Sequence, residues 1–133
     1  VNHSGTFNSS VMAMAATAAT VTELRERPPY AKIARHGTAL IAGLRALGDQ
    51  HGLPLHIQGL PMAFHVSFGD TDATDYRSLA GLDGERYARL AAALVEHGIW
   101  VASRGVWYVS ASHGDAELDA ALTRFDQALT AWR

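Results

Sequence analysis

The chain has 133 residues, of which 48% are hydrophobic and 18% charged, with a formal net charge of -2. A domain of that size can bury roughly two-thirds of the surface its unfolded chain exposes, so folding needs no covalent or metal staple. Cysteine is absent, which excludes disulfides, thiolate metal sites and a cysteine nucleophile. The near-neutral charge argues against a nucleic-acid partner or an anionic membrane surface, and no apolar run reaches the ~20 residues of a membrane helix.

In chain order, Asn2 to Asn8 is polar and contains glycine, and reads as a loop. The first residue is Val1, so the expectation is a processed chain or one that starts inside a longer protein. Asn8, Ser9 and Ser10 offer N-cap side chains for a helix running to about Arg27, where Pro28-Pro29 ends it. Its Ala-rich run, Val11 to Val21, has no Lys or Arg ahead of it and flows directly into Thr22-Glu23-Leu24-Arg25-Glu26-Arg27. That pattern argues against a signal peptide. Small apolar residues on all sides of this helix imply burial against something large.

A second helix is expected from near Pro29, with Ile33, Leu40, Ile41, Leu44 and Leu47 at helical spacing and Gly48 or Gly52 as its stop. His56-Ile57-Gln58 and Phe64 to Phe68 read as paired strands around a turn from Gly59 to Met62. Tyr76 to Leu82 reads as a short helical turn. Asp83 then caps a helix through His97 with Tyr87, Leu90, Ala91, Leu94 and Val95 on one face, and Gly98 ends it. Ile99-Trp100-Val101 and Val106 to Ser110 read as two short strands around Ser103-Arg104-Gly105. Ser112 and Asp115 have capping-box spacing, ahead of a last helix carrying Leu118, Leu122, Phe125, Leu129 and Trp132. The order predicts an α+β fold, with a small, mostly antiparallel sheet covered by helices on one face and an N-terminal connecting helix.

Few residues carry obvious chemistry. The one lysine, Lys32, sits in the first turn of the second helix and reads as a solvated side chain rather than a buried, activated amine. Seven histidines form no metal-ligand spacing, although His56 and His65 could face each other across the strand pair; no metal is expected. No nucleophile elbow supports a serine triad. His3 to Ser10 combines a glycine, hydroxyls and free N–H groups ahead of a helix start, which is the chemistry of an anion cradle and also of ordinary cap material. Arg104, at a tight connection before Gly105, is placed either to clamp a carboxylate bidentately or to serve as a surface turn residue.

Three segments in this order resemble the C-terminal part of class III pyridoxal 5′-phosphate (PLP) aminotransferases of fold type I, in the branch of glutamate-1-semialdehyde aminomutase and the β-amino-acid transaminases. They are His3-Ser4-Gly5-Thr6-Phe7-Asn8 followed by Val11-Met12-Ala13-Met14-Ala15-Ala16, the stretch Leu94 to Trp107, and Val109 to Asp119. The resemblance implies that Gly5 and Thr6 bind the cofactor phosphate across a homodimer interface, and that Arg104 meets a substrate carboxylate. It divides the chain into a phosphate loop with connecting helix (1–27) and a C-terminal small domain (28–133) that closes over an amino-acid or amino-ketone substrate. It implies a cytoplasmic transaminase or aminomutase whose cofactor-binding lysine and pyridinium-pairing aspartate lie upstream, in a large domain. Lys32 matches neither the place nor the context of that lysine, so no catalytic residue is assigned, and the piece alone is expected to be inactive with no covalently bound PLP. Ser9-Ser10 and Ser112 depart from the family pattern. The alternative is a free-standing α+β binding or regulatory module, which needs no upstream residues.

Overall fold

In the computed structural model, residues 4–8 and 10–132 are described. His3 and Ser9, named above in the phosphate-loop and N-cap readings, lie outside them. The chain forms two compact units, Val1–Ala31 and Lys32–Arg133.

The first unit contains α1, Val11–Glu26. Ser10 caps it, its hydroxyl accepting from the Ala13 N–H at 3.5 Å. Thr17 and Thr20 each donate to the carbonyl four residues back at 2.8 Å, a local bond that lets threonine sit inside a helix. The side chains of α1 are exposed.

The second unit is built on a three-stranded antiparallel sheet of β1 (Leu55–Leu60), β2 (Ala63–Phe68) and β3 (Val106–Tyr108), in that spatial order. Alternation along the strands sends Leu55, Ile57, Phe64, Val66, Phe68 and Trp107 to one face, where they are buried. That face is covered by α2 (Tyr30–Gln50) through Leu40 and Leu44, α4 (Gly84–Glu96) through Tyr87, Leu90 and Leu94, and α5 (Asp115–Ala131) through Phe125, Ala128 and Leu129. The expected α+β architecture is therefore the observed one. At its centre Trp107 stacks on Phe64, with ring centroids 5.9 Å apart, and meets Phe125 edge-on at 6.3 Å. The Trp107 indole N–H donates to the Tyr87 hydroxyl at 2.7 Å. Burial pushes the Tyr87 phenol up to about 12. At the C-terminal end Phe68 stacks on Trp132, and the Arg86 guanidinium lies 4.3 Å from the Phe68 ring centre.

Helix ends follow the punctuation in the sequence. Asp83 accepts from the Arg86 N–H at 3.0 Å and starts α4. Gly52 and Gly98 take φ of +68° and +80° after α2 and α4. In both cases the next residue reaches back five positions, Leu53 to the Gly48 carbonyl and Ile99 to the Leu94 carbonyl, each at 2.8 Å, which completes a Schellman cap.

Three local readings are corrected. Ile99 to Val101 is not a strand: the Ile99 N–H is committed to the α4 cap, and both edges of β2 are already taken by β1 and β3. Ser112 does not cap α5. The cap position is Gly114, whose N–H donates to the Glu117 carboxylate at 2.8 Å, while the Ser110 N–H donates to the His113 ring and the His113 N–H returns to the Ser110 carbonyl. This turn spends residues 110–113 before the helix begins. Val95, placed on the packed face of α4, is exposed. The short helical turn after the acidic loop is α3, Tyr76–Ala80, capped by Asp75.

Candidate functional site

The loop with Gly5 and Thr6 is exposed and precedes the first turn of α1. It folds locally, the Asn8 N–H returning to the Gly5 carbonyl at 3.1 Å and the Ser10 N–H to the Phe7 carbonyl at 3.1 Å. Among the described residues neither the Thr6 hydroxyl nor the N–H of Gly5 or Thr6 has an internal partner. Hydroxyl and N–H donors, turned to solvent just ahead of a helix start, fit a phosphate group. Thr6 and Gly5 would supply those donors.

Arg104 belongs to the other unit. Its turn is fixed from two directions. The Gly105 N–H donates to the Ala102 carbonyl at 3.1 Å, and the Gly105 carbonyl accepts from the Val66 N–H of β2 at 2.8 Å. The Arg104 carbonyl accepts from His65 Nε2–H at 3.0 Å. Gly105 has φ +90°, and a Cβ there would fall 2.6 Å from both His65 Nε2 and the Val66 carbonyl oxygen, so only glycine lets the turn lie against β2. The guanidinium itself has no internal hydrogen-bond or ion-pair partner among the described residues. Arg104 borders a cleft of about 190 Å³ with His65, Ser67, Asp83 and Ser103.

Lys32, in the second unit with Arg104, is exposed and donates from Nζ to the Ala111 carbonyl at 2.8 Å. His56 and His65 do not oppose each other: the register pairs His56 with Ser67 and His65 with Gln58, and His56 instead meets the Asp72 carboxylate at 2.8 Å. Two features escaped sequence reasoning. One is the His65 contact to Arg104, which joins positions 39 apart and has no local signature beyond Gly105 itself. The other is a groove of about 590 Å³ walled by His36 and His113, whose rings stack at 5.6 Å, and by exposed Trp100 and Tyr108. Burial and the adjacent His113 and Lys32 lower the His36 pKa, against an opposing pull from Asp115 and Glu117.

No protein-family model matches the chain. Curated relatives are the glutamate-1-semialdehyde 2,1-aminomutases of Methanopyrus kandleri, 26% identical over 131 residues, and of a Desulfitobacterium hafniense strain, 28% identical over 124 residues. These alignments take in 97% and 92% of this chain but 30% and 29% of the relatives. The chain thus spans about 30% of the length of the curated relatives it matches. Among solved structures, the β-phenylalanine aminotransferase of Variovorax paradoxus superposes with a TM-score of 0.81 at 31% identity, over 98% of this chain and 30% of that one. The FumI protein of a Sphingopyxis species, solved in its PLP internal aldimine form, gives 0.81 at 28% identity over 98% and 29%. Fold and matches together make the chain similar to a segment of PLP-dependent aminotransferases and aminomutases. The chain is similar over nearly its whole length to the C-terminal region of those enzymes, as the three motifs imply.

Proposed function

We propose that this chain supplies the C-terminal small domain of a PLP-dependent aminotransferase or aminomutase and is inactive by itself. The observation that carries the reading is the superposition of 98% of the chain on a β-phenylalanine aminotransferase, of which it spans 30%. PLP, when bound, supplies the electron sink for chemistry at the substrate carbon. This chain's residues hold and orient. Gly5 and Thr6 donate hydrogen bonds to the phosphate of a cofactor bound mainly by the other subunit of a homodimer, and Arg104 holds the carboxylate of an amino-acid substrate as the small domain closes. An arginine suits that task because its planar fork matches a carboxylate with two parallel hydrogen bonds. The cofactor lysine and the rest of the site belong to an upstream large domain of a cytoplasmic enzyme; no described helix is long and apolar enough to cross a membrane.

The span of only 30% of the matched aminotransferase supports inactivity of the isolated chain. Adding PLP to it should give no absorption band from covalently held cofactor and no transamination. A band that appears and is abolished by Lys32→Ala overturns the proposal. The surrounding gene should also encode roughly 300 residues ahead of Val1, since 131 residues make up 30% of one relative; a natural reading frame opening close to Val1 favours the free-standing module instead.

A further inference from the structure

His65 sits on β2 between Phe64 and Val66, both buried in the core, so its side chain stands on the opposite face of the sheet. There it is half-buried, across from Val106 of β3. A carbonyl oxygen can only accept, so the contact to the Arg104 carbonyl requires the proton on Nε2. In the neutral ring Nδ1 is then a bare acceptor, and it is buried with no partner among the described residues. A buried acceptor without a donor is unfavourable, and packing alone would be met by an apolar side chain of similar size. What the imidazole adds is, among the described residues, the one side-chain hydrogen bond that reaches the backbone of residue 104 itself; two further bonds of the turn are made by its neighbour Gly105.

We propose that His65 is a positioning residue, fixing the backbone from which Arg104 reaches the substrate carboxylate; this rests on the reading of Arg104 given above. Gly105 is the complementary half of the device. Its missing side chain is the space into which the ring fits, since a Cβ would come within 2.6 Å of Nε2. The long arginine side chain loses much rotamer freedom on binding. Anchoring its backbone beforehand reduces the volume its head group must search, and supporting shells of this kind determine whether a binding group is held in productive geometry.

The test uses the chain itself with two substitutions, His65→Leu, which fills space without a donor, and His65→Gln, which restores an N–H. Amide hydrogen exchange at Val66 and Gly105 reads the turn directly, and the thermal unfolding midpoint monitors the fold. His65→Leu should speed exchange at those two amides about tenfold relative to core amides of α5, the equilibrium worth of one hydrogen bond, and His65→Gln should restore most of the protection. In the full-length PLP-loaded protein that carries this segment, His65→Leu should also raise the KM for the amino-acid substrate several-fold, with recovery in the Gln variant. Unchanged exchange in His65→Leu, or a Gln variant that behaves like the Leu variant, overturns the proposal. So does a nitrogen spectrum of the unaltered imidazole at alkaline pH that puts the proton on Nδ1, a measurement needing no variant. An unchanged KM in an Arg104→Leu variant of the full-length protein, beside a loosened turn in His65→Leu, refutes the reading of Arg104 and leaves the coupling of His65 to the turn intact.

Discussion

Gly37 offers a test of the packing in which two effects of opposite sign compete. It lies inside α2 and is buried. Replacing an interior helical glycine with alanine ordinarily stabilises a helix by about 1 kcal/mol. Here a Cβ would lie 1.9 Å from the Pro61 carbonyl oxygen and 2.6 Å from its carbon, both backbone atoms in the connection between β1 and β2. Ordinary contact begins near 3.4 Å, so α2 and that connection must part by roughly 1.5 Å. Neither can yield by rotating a side chain. Overpacking of this kind costs about 1–3 kcal/mol, and the parting also loosens Leu40 and Leu44 against the sheet. The steric effect therefore wins, and Gly37→Ala should destabilise by about 1 kcal/mol net, lowering the thermal midpoint by roughly 5 °C in a unit of this size. Gly84, in the first turn of α4, is the control, because a Cβ there meets nothing within 4 Å. Gly84→Ala should be neutral or slightly stabilising. Calorimetry or circular dichroism of both variants decides the matter, and a Gly37→Ala protein as stable as the unaltered chain refutes the close approach of helix and turn.

Other variants probe the core and its titration. Tyr87→Phe leaves the buried Trp107 indole N–H without its acceptor and should cost about 1–3 kcal/mol in chemical denaturation. Phe125→Ala empties a fully buried position in contact with Trp107 and should cost about 3–5 kcal/mol by the same measurement. The pKa of His36 is lowered from 6.5 by burial and by His113, so the unfolded chain binds the proton more readily. Its contribution to stability is present above pH 6.5 and is lost as pH falls below that toward the folded value. Denaturation midpoints should drop across that window, and His36→Gln should flatten the drop.

Elements whose ends are marked by local chemistry were legible without coordinates. Ser10 and Asp83 cap α1 and α4 as read, and the strand pair, the helix α5 and the glycine stop after α4 follow from periodicity and punctuation. Ile99 to Val101 misled because a β-branched, aromatic run has the composition of a strand whether or not a neighbouring edge is free. Its fate depended on the Schellman cap, a competition for one N–H that composition does not reveal. Ser112 misled for a similar reason, since capping-box spacing counts residues but does not see that His113 closes a turn first. Arg104 and Gly105 stood out individually, whereas the histidine that holds them sits on another strand.

The two proposed contacts differ in how they are built, and the difference has a consequence. The Gly5–Thr6 loop is held by bonds to residues three positions away, so the described structure sets its shape through short-range bonds that constrain it little beyond one turn. Arg104 stands on a turn tied to β2, which is itself paired on both edges and packed on one face. Loosening that turn means breaking sheet hydrogen bonds, a rarer event than opening an exposed loop. Preorganisation is therefore unequal. The backbone under the proposed carboxylate-binding arginine is set before any ligand arrives, whereas the proposed phosphate donors would gain their final geometry from the anion they meet. In a PLP enzyme that order is workable, because a cofactor bound mainly by other residues can tolerate an adaptable extra contact. A substrate held by the proposed arginine would gain from the fixed turn, since each backbone freedom left in the unbound state would add to the side-chain rotamers that must be ordered on binding.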